Sequence, residues 1–221
     1  MDGPLLSVDR LCVAVNGRTL QPEISFAAHT GTVVRIVGRN GAGKTTLLRQ
    51  SLGLHSSERD PEHAAVHMAP GLQVGYFPQM WGDTLLPWLD SWSNVLLGLA
   101  SVPTERLPNH VVGLAAEFFA PDLPSLSHDP YALLRDVALV LCGRQVKTLS
   151  GGEQQKIALL RTFARGSRLL VLDEPFRDLD YRSTKVLTQY LQAAVSSRNV
   201  AVIYVSHQDV DLPPTLTVDL V

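Results

Sequence analysis

The chain has 221 residues, 45% of them hydrophobic and 18% charged, with a formal net charge of −2. That length can bury one large core or two lobes, and the near-neutral charge gives no general electrostatic reason to bind nucleic acid. The longest apolar runs, at residues 137–142 and 200–205, fall short of the roughly 18 residues a membrane span needs.

The N-terminus, Met1-Asp2-Gly3-Pro4, lacks the charged and apolar regions of a secretory signal. Cys12 and Cys142 are far apart and without metal-type spacing, so they read as two reduced, structural thiols of a cytosolic protein, with a disulfide as the alternative.

The first strong element is the β-branched run at residues 33–37, Val-Val-Arg-Ile-Val, which predicts a buried parallel strand. It leads into Gly38-Arg39-Asn40-Gly41-Ala42-Gly43-Lys44-Thr45, followed by Thr46. This is a complete phosphate-binding loop. Glycines let backbone N–H groups turn inward around phosphates, Lys44 reaches the β and γ oxygens, and the Thr45 hydroxyl ligates Mg²⁺. A helix starting near Gly43 adds its positive dipole end. The chain is therefore expected to bind a nucleoside triphosphate. An ordinary Gly-rich turn at a helix start is the competing reading, and the preceding strand argues against it.

From about Met80 to Gly143 the sequence is rich in Pro, Leu and Ala. Helical patches at 94–100, 111–119 and 131–141 predict a helical insertion, broken by Pro103, Pro108, Pro121, Pro124 and Pro130. Within it, Met80, Trp81, Leu85, Leu86, Trp88, Leu89 and Trp92 form the densest apolar-aromatic stretch. These side chains either pack the helical lobe or line a groove for a short helix of a partner.

Leu149-Ser150-Gly151-Gly152-Glu153-Gln154 opens a helix predicted over 155–165. Ser150 and Glu153 have capping-box spacing, which by itself needs neither glycine. Two glycines beside an N-cap serine build a second nest of backbone N–H groups, hence a second anion site. With one triphosphate per site, that second nest would serve a neighbouring molecule.

Residues 169–172 predict another buried strand, ending in Asp173-Glu174-Pro175. Carboxylates there sit at the sheet edge where ligands of open α/β folds bind. Asp173 is the expected partner of hydrated Mg²⁺, and Glu174 is placed to polarise an attacking water. Two acids after a strand are otherwise often only a helix start. From Ser183 the apolar positions repeat at helical spacing, and 200–205 predict a third core strand before Ser206-His207. The alternation indicates an α/β fold with a mostly parallel sheet.

In order and spacing these elements resemble the nucleotide-binding domain of ATP-binding-cassette (ABC) proteins over essentially the full chain. The resemblance places Gln79 of Gly75-Tyr76-Phe77-Pro78-Gln79 as the Q-loop, Leu149–Gln154 as the signature, Leu179-Asp180 as the D-loop end and His207 as the switch histidine. It implies an ABC-type P-loop fold with an antiparallel β part near the N-terminus. It also implies a core lobe over about 1–79 and 166–221 and a helical subdomain over about 80–165.

The activity it implies is ATP hydrolysis with ATP and Mg²⁺ bound. Two subunits, identical or different, would sandwich two ATP molecules. Ser150, Gly151, Gly152 and Glu153 of one would close on the γ-phosphate held by Lys44 of the other. Glu174 would act as general base, Gln79 would contact Mg²⁺ and the water, His207 would hold the γ-phosphate, and Asp180 would carry structure between sites.

Four positions depart from the family pattern. Val15 stands where an aromatic residue stacks on adenine, Arg177 and Asp178 replace small D-loop residues, and Lys156 replaces an arginine. One cassette without a fused membrane or regulatory domain resembles a separate ATPase subunit of a bacterial transporter. Such a subunit is cytoplasmic and peripheral on the inner face of the membrane, bound to integral membrane subunits. Short fragments are similar to haem-exporter-like systems and others to importers. The alternative is a non-transport cassette of cell-division or assembly type. No nucleic-acid partner is expected.

Overall fold

The computed structural model describes residues 3–15, 17–55, 65–97, 109–120, 130–197 and 200–221. The elements in order are β1 (Leu6–Val15), β2 (Arg18–Ala28), β3 (Val33–Gly38), α1 (Lys44–Ser51), β4 (Ala65–Met68), β5 (Val74–Phe77), α2 (Ser91–Leu96), α3 (Asn109–Phe119), α4 (Pro130–Leu141), α5 (Gly151–Ala164), β6 (Leu169–Asp173), α6 (Tyr181–Ser197), β7 (Ala201–Val205) and β8 (Leu216–Leu220). Residues 98–100 of the patch predicted at 94–100 lie outside the described residues, as do Pro103, Pro108, Pro121 and Pro124.

Two compact units result. One comprises Met1–Gln79, Ser167–Arg177 and Leu191–Val221, and the other Met80–Gly166 and Asp178–Tyr190. The second unit thus takes the first part of α6, which the helical subdomain expected over 80–165 did not include. Tyr190 stacks on Phe163 of α5, ring centroids 4.8 Å apart, so this part of the helix shares the aromatic packing of α5.

The first unit holds both sheets. A three-stranded sheet in the order β2-β1-β4 is antiparallel, and a five-stranded sheet runs β5-β6-β7-β3-β8. The second sheet is parallel throughout. Every residue of β6 and β7 is buried, as expected for parallel strands covered on both faces. Leu6, Val13, Ile36, Leu47, Leu169 and Ile203 belong to one core cluster that joins the sheets to α1.

The strand order positions the chemistry. In it β7 lies between β6 and β3, so the C-terminal ends of the strands carrying the phosphate loop, the paired carboxylates and His207 are neighbours.

The second unit is helical. Asp90 caps α2 by accepting from the Ser93 N–H at 2.7 Å. Ser150 caps α5 and Glu153 answers it, so the helix starts at Gly151 rather than at 155. No helix of the described residues is long and apolar enough to cross a membrane. Both cysteines are free; Cys12 is buried, whereas Cys142 is exposed, so only the former fits a structural thiol.

Candidate nucleotide site

The phosphate loop is shaped by close packing beneath it. Gly43 is the N-cap of α1 with φ 98°, and a Cβ there would lie 2.9 Å from Val13 Cγ1 and 3.1 Å from Leu20 Cδ1. A Cβ on Gly38 would come within 2.7 Å of the Leu220 carbonyl oxygen. Side chains at either position would push the loop off the strands that support it. Gln21, buried in β2, donates through Nε2 to the Ala42 carbonyl at 3.4 Å and to the Val221 oxygen at 2.8 Å. Lys44 donates from Nζ to the carbonyls of Gly38 and Arg39 at 2.8 and 2.9 Å. Its ammonium therefore lies across its own loop.

A cavity of about 590 Å³ opens over this loop. Its lining includes Asn40, Gly41, Gly43, Lys44, Thr45 and Thr46 of the loop region, together with Gln79, Asp173, Glu174 and His207. Leu20, Arg177, Val205 and Gln208 complete the lining. Gly38 and Ala42 shape the loop from below without lining the cavity.

Val15, expected beside the base, is not a lining residue. It is half-buried at the end of β1, while Leu20 on β2 reaches the loop. Leu20 was not singled out in the sequence, because one leucine in a strand carries no signature. Only the alternation of β2 could have hinted at it.

The carboxylates differ sharply in setting. Asp173 is 1% exposed, and neither of its oxygens closes a hydrogen bond of normal geometry. Burial raises its carboxyl above the ordinary range. The Thr45 hydroxyl opposes the rise, Glu174 adds to it, and Arg49 and Lys44 oppose it. A buried carboxylate with both oxygens unsatisfied is costly unless a cation completes it.

Glu174 is also buried, and it holds φ 54°, rare for a residue with a side chain. Its N–H donates to the Val205 carbonyl at 3.0 Å, and its Oε2 accepts from the His207 N–H at 3.3 Å. The strained backbone aims its carboxylate at the cavity.

The signature residues belong to the second unit. Ser150 Oγ accepts from the Glu153 N–H at 3.3 Å, and Glu153 Oε2 accepts from the Ser150 N–H at 2.9 Å. Arg144 pairs with the other Glu153 oxygen at 2.7 Å. Burial raises the Glu153 carboxyl, but the Ser150 and Arg144 contacts prevail and hold it below the ordinary range. A Cβ on Gly152 would stand 3.1 Å from the Asp178 carbonyl oxygen. Close approach of the D-loop is thus what that glycine permits. Asp180 accepts from the Ser183 N–H at 2.8 Å and the Ser183 hydroxyl at 2.9 Å, and it lies 3.5 Å from Lys156. Lys156, where the family has arginine, therefore keeps a carboxylate partner.

The sequence profile of the ABC transporter family matches residues 22–177. Among curated proteins, the ATP-binding protein Uup of Escherichia coli K12 is 30% identical over 213 residues, which are 96% of this chain and 29% of Uup. The zinc import ATP-binding protein ZnuC of Ruegeria pomeroyi is 33% identical over 208 residues, 94% of this chain and 70% of that protein. Among solved structures, an inward-facing transporter of the metal-chelate ABC type shares 25% identity at a TM-score of 0.70, covering 99% of this chain and 80% of that one. The chain spans under a third of Uup and about 70% of ZnuC. With the profile running from β2 through the paired carboxylates and the relatives aligned over nearly all the sequence, the chain belongs to the ABC transporter family, as a bacterial-type ATP-binding-cassette nucleotide-binding domain.

Proposed function

We propose that this chain hydrolyses ATP in the cavity over the phosphate loop and, paired with a second such subunit, drives an integral membrane transporter. The observation that carries the reading is the buried Asp173 carboxylate, unsatisfied at both oxygens, beside the Thr45 hydroxyl and the Lys44 ammonium. The Asp173 and Thr45 oxygens suit a hard cation, so these two residues, with the Gln79 amide oxygen, would hold Mg²⁺, while Lys44 would serve the phosphates. When bound, Mg²⁺ would neutralise charge on the β and γ oxygens.

The protein's own groups supply the rest. Backbone N–H groups of residues 40–45 surround the phosphates, with the dipole of α1 behind them. Lys44 leaves its two carbonyl acceptors and turns to the triphosphate, a stronger charged acceptor. Glu174 takes the proton of the attacking water, and His207 and Gln79 orient the water and the terminal phosphoryl group. Ser150, Gly151, Gly152 and Glu153 offer a capped helix start to the ATP of a partner subunit. Asp180 anchors the neighbouring D-loop.

The assembly would lie in the cytoplasm against the inner face of the membrane, held there by integral subunits. The zinc-import relatives favour an importer over an exporter. The test is steady-state ATPase activity of the purified chain and of Glu174→Gln. The substitution should keep ATP binding and lower turnover about a hundredfold or more. Turnover near the parent rate would reject Glu174 as the base. Purification with an integral membrane partner supports the transport role, and a soluble partner alone would refute it.

A further inference from the structure

Arg177 lines the nucleotide cavity, at a D-loop position where the resemblance puts a small residue. Its position is well determined. The preceding Phe176 is fully buried and meets the Tyr204 ring edge-on, centroids 6.4 Å apart. The Arg177 N–H donates to the Glu174 carbonyl at 3.4 Å, closing a turn directly after the base. A buried aromatic therefore fixes the turn from below, while the next side chain is exposed at the cavity. Arg177 has no hydrogen bond or ion pair from its guanidinium among the described residues, whereas Lys44 is engaged with two loop carbonyls.

Arg177 shares its turn with Glu174, and both line the cavity together with Gln79 and His207. With Glu174 as the base of the proposed hydrolysis, a guanidinium on that turn would meet the terminal phosphoryl group, with planar donors matched to two phosphate oxygens.

We infer that Arg177 binds the γ-phosphate of the triphosphate and gives the site its preference for ATP over ADP. Lys44 serves the β and γ oxygens together, so its contact is partly kept with the diphosphate. The Arg177 contact is lost outright when the terminal phosphate leaves. The inference rests on the nucleotide reading proposed above.

The experiment measures binding of adenylyl imidodiphosphate and of ADP, each with Mg²⁺, to the full chain and to Arg177→Ala, Arg177→Lys and Lys44→Ala. Arg177→Ala should weaken the triphosphate analogue about tenfold or more and ADP by less than about twofold. Arg177→Lys should fall between, since charge survives and the fork does not. Equal losses for both nucleotides, or no loss, would overturn the inference. If the parent binds neither nucleotide, the nucleotide reading itself fails. If the parent binds and Lys44→Ala does not, an unchanged Arg177→Ala removes only the role of Arg177.

Discussion

The His207 main chain holds the Glu174 carboxylate: the histidine N–H donates to Oε2 at 3.3 Å, while its ring Nε2 stands 3.4 Å from Oε1. The two contacts are chemically separable. Orientation of the carboxylate comes from the backbone, and the ring, more than half exposed, is available to a ligand.

Replacing His207 by Ala should therefore lower ATP turnover while leaving Glu174 in place, because the backbone donor survives the substitution. The expected loss is roughly tenfold or more in kcat with little change in nucleotide affinity. A variant that instead lost nucleotide binding would show that the ring acts in the ground state.

Glu174 holds φ 54°, a conformation costing about 1–2 kcal/mol for residues with a Cβ. Glu174→Gly should be about 1 kcal/mol more stable than Glu174→Ala, although both should be inactive under the proposed role of Glu174. Chemical denaturation compares the pair, and equal midpoints would mean the turn is not strained.

Leu20 supplies an apolar wall beside Gly43, and the family's aromatic base platform is missing at Val15. Leu20→Ala should weaken ATP and GTP alike, each by roughly three- to tenfold, because apolar contact carries no hydrogen-bond code. The parent should discriminate between the two nucleotides by less than about tenfold, since a stacked aromatic would have added on the order of 1–3 kcal/mol. Titration of both nucleotides decides it. A strong ATP preference in the parent would require a base-reading group elsewhere.

Of the aromatic stretch after Gln79, Trp92 is buried at 7% exposure, whereas Trp88 and Met80 are 70% and 65% exposed. Trp92 thus packs within the fold, and Trp88 is the exposed side chain that the proposed transport role would put against a partner. Trp88→Ala should leave ATP affinity and stability unchanged but uncouple hydrolysis from transport in the assembled complex. Cross-links from a membrane partner that avoid residues 80–89 would contradict this.

Asp180 is held below the ordinary aspartate range by the Ser183 N–H first, with the Ser183 hydroxyl and Lys156 assisting against partial burial. Its folded-state pKa is depressed, so the stability it contributes is present above the unfolded value of about 4 and is lost as pH falls through the folded value. Asp180→Asn keeps a capping oxygen but cannot titrate. The Tm difference between parent and variant should be constant near neutral pH and shrink on acidification below about 4. A difference that stays flat into acid would mean the charge contributes nothing.

The phosphate loop and the carboxylate pair were legible in the sequence because each is a contiguous segment whose chemistry needs neighbouring residues. Val33–Gly38, Leu169–Asp173 and Ala201–Val205 were legible as strands because parallel burial writes itself as unbroken apolar runs. Gln79 and His207 stood out only through resemblance, since a single polar residue after a strand has many uses. Leu20 and Arg177 were hidden as cavity residues, because their roles arise from what folds beside them. The division of α6 between two units was equally hidden. Helical periodicity records a helix, but not which neighbour each turn packs against.

β3, which carries the phosphate loop, pairs only with β7 and β8 among the described residues, so its sheet partners come from the far end of the chain. On the ribosome the strand waits, its edges bare, until residues 201–220 have been synthesised. Gln21 repeats the pattern by joining Ala42 to Val221. Under the proposed nucleotide reading, the loop cannot take its binding shape until residues 201–220 have been made. A chain stopped before residue 201 emerges with its phosphate loop intact in sequence but without the strands that hold it in shape.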